Sequence, residues 1–341
     1  MAETLLQVEN LKAHFTTEDG IVRAVDGLSF DLERGKVLGI VGESGSGKSV
    51  TAMTLMGLTR DVNARFEGKV LYKGTDLLQV SDSDLQAYRG NEIGMIFQDP
   101  MTSLNPVYRI GEQIVEAIQA HDRIDKSGAR RRAIELLKLV GIPNPESRVD
   151  DFPHQFSGGM RQRAMIAMAL SCNPDILIAD EPTTALDVTI QAQIVEIIDR
   201  LKAEFDSSVI FITHDLGVIA DIADEILVMY AGRVVEQGSK RDLFYDPQHP
   251  YAWGLLGSIP RLDRPRPKRL HTIEGAPPSL INAPAGCKFR PRCPHAFDKC
   301  GEEPALEQRV EAAGHRDRCW LSVEYKREHR DETISGGIEA A

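Results

Sequence analysis

A glycine-rich segment that directly follows an apolar run constrains the fold of this chain more than any other sequence feature. Residues 42–49 read Gly-Glu-Ser-Gly-Ser-Gly-Lys-Ser, which matches the pattern of a phosphate-binding loop. The run Val37–Val41 before it predicts a buried strand, and we expect a helix from about Ser49 onwards. A loop of this kind joins a strand to a helix, so the sequence predicts an α/β fold.

The residue types of this loop suit the binding of a nucleoside phosphate. Glycines allow backbone N–H groups to turn towards an anion, and the following helix contributes its positive N-terminal end. We expect Lys48 to contact the β- and γ-phosphates and the Ser49 hydroxyl to ligate Mg²⁺. The predicted binding residues of this segment are Gly42, Glu43, Ser44, Gly45, Ser46, Gly47, Lys48, Ser49 and Val50.

Two adjacent acids end a second apolar run, Ile176–Asp180. The run predicts a buried parallel strand, and open α/β sheets place their ligands at the carboxyl ends of such strands. Asp180 is therefore suited to the Mg²⁺ shell, and Glu181 to polarising the attacking water. Two acids after a strand are in isolation more typical of a solvated turn, but the phosphate loop upstream favours the catalytic interpretation.

A Ser-Gly-Gly-Met-Arg segment begins at Ser157, between the loop and the acids. In this order, the three motifs resemble those of the ATP-binding cassette (ABC) family. The resemblance implies a RecA-like P-loop ATPase core with an antiparallel β subdomain and a helical subdomain. It also implies that ATP is closed between two chains, with Ser157, Gly158 and Gly159 of one chain donating N–H groups to the γ-phosphate held by the other.

Four further residues take their expected roles from this resemblance. Gln98 matches the glutamine loop of the family, which contacts Mg²⁺ or the water and moves against the membrane subunit. His214 matches the switch histidine that senses the γ-phosphate, and Asp187 matches the loop that joins the two halves of the dimer. Phe15 stands where the family has an aromatic ring stacked on adenine, although a position in the core is the alternative.

The length and charge of the chain limit its organisation and its partners. At 341 residues it exceeds one typical domain, and its net charge of −11 argues against a surface that binds nucleic acid. No apolar run reaches the roughly 18–20 residues of a spanning helix, and the first residues lack the pattern of a secretory leader. We therefore expect a location in the cytoplasm and no nucleic-acid partner.

Composition and motif positions predict three regions. The ABC nucleotide-binding domain is expected over residues 1–258, with its helical subdomain at about 99–160. A small cysteine-rich domain is expected over residues 259–332, folded separately from the ATPase core and beginning with the proline-rich linker Pro260–Lys268. Residues 333–341 are expected to form a flexible tail.

Cys287, Cys293, Cys300 and Cys319 follow the spacing C-x5-C-x6-C-x18-C in this last region. Because disulfides are disfavoured in the cytosol, a bound metal is the better interpretation of the cluster. The spacing leaves structural zinc, an iron–sulfur cluster and unliganded thiols open. Residues 249–256 and 287–294 resemble the C-terminal extension of the dipeptide and oligopeptide importer ATPases, whose four-cysteine members hold a [4Fe–4S] cluster, so the resemblance implies that cofactor.

The same resemblance implies the function and the partners. It implies an ATPase subunit that powers di- and oligopeptide import from the cytoplasmic face of the bacterial inner membrane. The implied partners are a second, nonidentical ATPase subunit, two transmembrane permease subunits and an extracytoplasmic peptide-binding protein. Because this chain does not touch the cargo, nickel, opine or antimicrobial-peptide transport stays open.

Two classes of ABC protein that do not act in transport have sequence features that this chain lacks. Cassette ATPases of DNA repair or chromosome organisation carry long coiled coils between the phosphate loop and the Ser-Gly-Gly segment, and no sustained heptads occur here. Translation-type cassette proteins carry two cassettes in one chain, whereas this sequence has one set of motifs.

Overall fold

The computed structural model of the chain describes residues 3–184, 186–259 and 272–335. Its strands are β1 (Thr4–Thr17), β2 (Gly20–Glu33), β3 (Val37–Val41), β4 (Ala64–Tyr72), β5 (Thr75–Asp76), β6 (Ile93–Ile96), β7 (Ile176–Asp180), β8 (Ser208–Thr213), β9 (Glu225–Tyr230), β10 (Arg233–Ser239) and β11 (Arg316–Asp317). The predicted proline-rich linker, Pro260–Lys268, lies outside the described residues.

The α-helices lie between and after these strands. They are α1 (Lys48–Leu55), α2 (Asp82–Leu85), α3 (Pro100–Ser103), α4 (Ile110–His121), α5 (Lys126–Leu139), α6 (Pro145–Arg148), α7 (Gly158–Ala169), α8 (Val188–Phe205), α9 (Leu216–Ile222), α10 (Lys240–Tyr245), α11 (Pro250–Gly257) and α12 (Val323–Ser335). Short 3₁₀ turns occur at Pro153–Gln155, Arg290–Arg292 and Asp298–Gly301. None of the helices described is long and apolar enough to cross a bilayer.

The main sheet has the strand order β11-β10-β9-β3-β8-β7-β6. Strands β9, β3, β8, β7 and β6 run parallel to one another, and they consist almost entirely of buried residues. A sheet covered on both faces needs such continuous apolar strands. Since the strands are parallel, the residues that follow β3, β6, β7 and β8 meet at one edge of the sheet. The predicted α/β core is confirmed.

A second sheet, ordered β2-β1-β4-β5, is antiparallel. Its longest pair joins β1 and β2, and its inner residues share an apolar core with α1 and one face of the main sheet. Residue pairs from Leu6↔Leu32 to Thr17↔Gly20 set the register, with bulges where the strands bend. This sheet places the carbonyl oxygen of Ala24 beside Gly47 of the phosphate loop.

The stretch predicted as a helical subdomain contains α3, α4, α5 and α6. The longest of these, α5, has 14 residues, so this stretch holds no long coiled coil of the kind found in DNA-repair cassettes. Within it, Arg130 donates two hydrogen bonds to Asp150, at 2.9 and 2.7 Å. Arg130 and Arg131 are exposed and Arg132 is half-buried, so this basic cluster lies on the solvated side of α5.

The C-terminal segment contributes the outer strand of the main sheet. Asp317 pairs with Glu236 across β11 and β10. The buried Glu236 carboxylate accepts hydrogen bonds from the N–H groups of Gln248 and His249, both at 2.7 Å, and lies 2.8 Å from Nε2 of His315. This pairing does not support the expected independent folding of the cysteine-rich segment. The boundary at residue 258 stays a prediction.

The last described helix overlaps the predicted tail. Helix α12 ends at Ser335, so residues 333–335 are helical and not part of a loose tail. Lys326, on this helix, donates a hydrogen bond of 2.7 Å to the buried Asp317 carboxylate. The rest of the predicted tail, residues 336–341, lies outside the described residues.

Candidate nucleotide-binding site

A cavity of about 870 Å³ opens at the carboxyl edge of the main sheet. Most of the residues predicted to bind the phosphates line it, and Gln98, Glu181 and His214 reach it from the ends of β6, β7 and β8. From the phosphate loop and α1, it is lined by Gly42, Glu43, Ser44, Gly45, Gly47, Lys48, Ser49 and Val50. Ser46 does not line the cavity, and its Oγ is buried without a hydrogen-bond partner.

Two glycines are required where the phosphate loop passes close to other backbone. A Cβ on Gly42 would lie 2.2 Å from the carbonyl oxygen of Met229. Gly47 has φ +102° and caps α1, and a Cβ there would lie 2.2 Å from the carbonyl oxygen of Ala24. Both contacts are far below any van der Waals distance, so the loop is held in place by backbone on two sides.

Lys48 and Ser49 point from the start of α1 towards the acids after β7. The Lys48 side chain is 4% exposed, and its Nζ donates to the carbonyl oxygens of Gly42 and Glu43, at 2.7 and 3.0 Å. Ser49 Oγ donates a 2.9 Å hydrogen bond to Asp180 Oδ1. Burial lowers the pKa of the Lys48 ammonium, an effect that the Glu181 carboxylate opposes, and burial raises the pKa of the Asp180 carboxyl.

Glu181 is the centre of the polar contacts. Its Oε2 accepts hydrogen bonds from Gln98 Nε2 and from Thr184 Oγ1, both at 3.0 Å, and lies 3.3 Å from His214 Nδ1. Its Oε1 lies 3.6 Å from Lys48 Nζ. The structure therefore brings together the three residues predicted to act in catalysis, and it adds Thr184.

The backbone of Glu181 is unusual for its residue type. Its φ is +47°, in the left-handed region, and its N–H donates to the carbonyl oxygen of Ile212 on the neighbouring strand. A left-handed residue other than glycine costs roughly 1–3 kcal/mol and is often found at functional sites. The turn directs the carboxylate back towards the phosphate loop.

Other predicted residues lie away from this cavity. Ser157 caps α7, with its Oγ accepting from the N–H of Met160, and Ser157 and Gly158 are exposed. Asp187 caps α8 in the same way and is also exposed. Gly159 is half-buried, and none of these four lines the cavity. Their predicted roles involve a second chain and stay predictions.

Phe15 packs against another ring. It is half-buried, and its ring lies edge-on to Phe66, with centroids 6.4 Å apart. It is not among the residues that line the cavity. Its stacking on adenine stays a prediction.

Residues far along the chain complete the cavity wall. Leu255, Ser258, Thr272, Ile273 and Pro277 line it together with the phosphate loop. Sequence reasoning did not assign any of them to the site. The only signal available was the resemblance of residues 249–256 to an importer extension, which carries no information about where that extension packs.

The four C-terminal cysteines line one small cavity. Burial raises the pKa of Cys293 and of Cys319 to about 12. Nevertheless, in the part of the chain that the structure describes, no group of three or more His, Cys, Asp or Glu residues is arranged to hold a metal ion. The expected metal at these cysteines is therefore not shown.

Two family models match the chain. The model described as "ABC transporter" matches residues 25–184, which include the phosphate loop, Ser157 and Glu181. The model described as "Oligopeptide/dipeptide transporter, C-terminal region" matches residues 235–300, which include three of the four cysteines.

Relatives match nearly the full length. The chain is 52% identical over 320 residues to the dipeptide transport ATP-binding protein DppD of Bacillus subtilis, covering 94% of this chain and 95% of that protein. It is 51% identical over 323 residues to the oligopeptide transport ATP-binding protein OppD of Salmonella typhimurium, covering 95% of each. Among solved structures, a dimeric ATP-binding cassette in a post-hydrolysis state with ADP and phosphate gives a TM-score of 0.63 at 28% identity, covering 69% of this chain and 99% of the other.

Proposed function

We propose that this chain, which belongs to the ABC transporter ATPases of the dipeptide/oligopeptide importer family, binds and hydrolyses ATP to power peptide import across the bacterial cytoplasmic membrane. One observation carries the proposal: Lys48, Ser49 and Glu181 line a single cavity at the edge of the main sheet, and Ser49 Oγ donates a hydrogen bond to Asp180. The names of the relatives favour peptides over the other cargoes.

The phosphates of ATP would lie on the loop. Lys48 would bind the β- and γ-phosphates, and Ser49, Asp180 and the amide oxygen of Gln98 would hold Mg²⁺, which neutralises charge on those phosphates. The 2.9 Å between Ser49 Oγ and Asp180 Oδ1 is about the separation of neighbouring oxygens around an octahedral ion with bonds of about 2.1 Å. The residues present therefore fit the ion.

Hydrolysis needs a base beside the γ-phosphate. Glu181 is proposed to take a proton from the attacking water while the water oxygen bonds to the γ-phosphorus and ADP leaves. Gln98 and Thr184, which donate hydrogen bonds to its Oε2, orient the carboxylate. His214 is 58% exposed, so it can face the γ-phosphate and a neighbouring chain.

A second ATPase chain would complete the site. Ser157, Gly158 and Gly159 at the start of α7 would donate N–H groups to the γ-phosphate held by the partner, and Asp187 would lie where the two halves meet. We propose a nonidentical ATPase partner, two transmembrane permease subunits and an extracytoplasmic peptide-binding protein, with this chain at the cytoplasmic face of the membrane. Loss of the bridging γ-phosphate would separate the halves and move the permeases.

Because a second chain would complete this composite site, the rate of ATP hydrolysis is expected to depend on assembly of the transporter. The purified chain alone is expected to bind Mg²⁺-ATP but to hydrolyse it slowly. Hydrolysis should rise together with peptide uptake when the partner ATPase, the permeases and the binding protein are reconstituted in vesicles. Full ATPase activity of a demonstrated monomer, independent of concentration, would contradict the composite site, and failure of the chain to bind ATP would contradict the proposed function.

We also propose that Cys287, Cys293, Cys300 and Cys319 hold one [4Fe–4S] cluster, with zinc as the alternative. Four thiols that line one cavity are the donor set that such a cluster uses. Bound metal would hold together residues 285–320, where prolines are frequent and apolar residues are few.

Anaerobic purification is expected to give about four iron and four sulfide per chain with a broad visible absorption. Cys293→Ser should lose the iron and become protease-sensitive at the C-terminal segment. Cys172→Ser, at the one cysteine outside the cluster, should retain the iron and the protease resistance of the parent protein. Zinc at one per chain without sulfide would refute the cluster.

A further inference from the structure

The second residue of the phosphate loop is paired with a residue 249 positions away. The Glu43 carboxylate accepts two hydrogen bonds from Arg292, at 2.6 Å from Nη1 and 3.0 Å from Nη2. The Arg292 side chain is 4% exposed, so solvent screens the pair weakly. Two parallel N–H to oxygen bonds fix both the distance and the orientation of a carboxylate.

The guanidinium is itself held in place. Its Nε donates to the carbonyl oxygen of Glu274 at 3.0 Å, and Nη2 donates to that of Ile273 at 3.1 Å. It also lies over the ring of Tyr230, 5.8 Å from the centroid. Arg292 therefore attaches the segment that contains Ile273, part of the cavity wall, to the phosphate loop.

A second contact holds the backbone of the same loop residue. The N–H of Glu43 donates to the hydroxyl oxygen of Tyr251 at 2.8 Å, and Tyr251 is fully buried. The carbonyl oxygen of Glu43 accepts from Lys48 Nζ. The side chain and both backbone polar groups of Glu43 are therefore hydrogen-bonded. A displacement of Glu43 would also move its carbonyl oxygen, to which Lys48 donates.

The charge of Glu43 is unfavourable for its position. The residue lines the cavity in which the phosphates are proposed to bind, and a carboxylate near a polyphosphate anion is repelled. A cation held 2.6 Å from that carboxylate cancels most of its field. In the absence of that cation, binding of ATP would have to overcome an unpaired, half-buried negative charge.

We infer that Arg292 is a positioning residue for ATP: it neutralises Glu43 and fixes the phosphate loop, so that the C-terminal segment forms part of the nucleotide site. The inference rests on the proposed function of the cavity and deepens it. Because Arg292 directly precedes Cys293, the segment that carries the cysteines is linked to the phosphate loop by one side chain.

The test compares Arg292→Gln, Glu43→Gln and the double variant, with Arg290→Gln as the control. Arg290 is an exposed arginine in the same 3₁₀ turn. Binding of a fluorescent ATP analogue to the full-length chain gives Kd, and turnover of the assembled complex separates KM from kcat. Thermal unfolding of each variant reports folding independently of nucleotide.

Arg292→Gln is expected to weaken ATP binding by roughly 5- to 150-fold, the usual range of coupling between sites. KM should rise while kcat changes less, because the lost interaction affects binding. The double variant Glu43→Gln/Arg292→Gln should recover most of the affinity lost in Arg292→Gln, because it leaves no unpaired carboxylate beside the phosphates. A role in folding alone would lower the unfolding temperature and leave Kd unchanged.

Equal Kd values for Arg292→Gln and Arg290→Gln would overturn the inference, and so would a double variant as weak as Arg292→Gln. If Arg292→Gln does not fold, Arg292→Lys replaces it: an affinity loss that Glu43→Gln reverses supports the inference, and unchanged affinity overturns it. Failure of the parent chain to bind ATP would instead refute the proposed function.

Discussion

Replacing Glu181 by glutamine is expected to lower ATP turnover by roughly 10²- to 10⁴-fold, the usual range for loss of a general base, with ATP binding nearly unchanged. Glutamine has the shape of glutamate and retains one oxygen for the hydrogen bonds from Gln98 and Thr184. It cannot take a proton from the attacking water. The loss should therefore appear in kcat and leave Kd for ATP almost unaffected.

Single-turnover hydrolysis by the assembled complex measures the chemical step directly. Glu196→Gln, the same change at an exposed position of α8, is the matched control and should hydrolyse ATP at the parent rate. Near-parental single-turnover rates in Glu181→Gln would remove Glu181 from the role of base. A large loss of ATP affinity would point to a role in binding through its contact with Lys48.

The parts of the fold that depend on local pattern could be predicted from the sequence. The strands Val37–Val41 and Ile176–Asp180 have the bounds that their apolar runs predict. In each case a short apolar run ends at glycine or at charged residues, so propensity and burial agree on the same element.

Contacts between distant segments could not be predicted in this way. Nothing in the spacing of Glu43 and Arg292 indicates that they pair, because the pairing depends on how residues 272–292 pack against the phosphate loop. The addition of Arg316–Asp317 to the main sheet is of the same kind. Two residues provide too little pattern to predict a strand, and the pairing depends on the register with β10.

The backbone conformation of Glu181 could not be predicted from the sequence either. Positive φ values are predicted with confidence only for glycine and, to a lesser degree, asparagine or aspartate. At Glu181 the surrounding structure imposes φ +47°, since its N–H is bonded to Ile212 and its carboxylate is bonded to Gln98 and Thr184. The sequence predicts Glu181 as the catalytic base, and the structure adds the direction in which its side chain points.

Gly47→Ala is expected to lower the free energy of unfolding by about 3 kcal/mol or more, from backbone strain and from overpacking. The residue has φ +102°, and the new Cβ would lie 2.2 Å from the carbonyl oxygen of Ala24. Because that oxygen belongs to the backbone of β2, it cannot move without shifting the strand. ATP affinity should fall as well, since the start of α1 would be displaced from the phosphates.

The matched variant Gly45→Ala measures the effect of backbone strain in the absence of a close contact. Gly45 also has positive φ, +76°, but a Cβ there would meet nothing within 4 Å, so only strain of about 1–2 kcal/mol is expected. Urea unfolding in the absence of nucleotide measures the loss in the free energy of unfolding of each variant, from the midpoint and the slope of its transition. A clearly larger loss for Gly47→Ala supports the contact with Ala24. Equal losses would mean that β2 can shift with little loss of free energy. The contact of Gly47 with Ala24 would then hold the phosphate loop less firmly than the structure indicates.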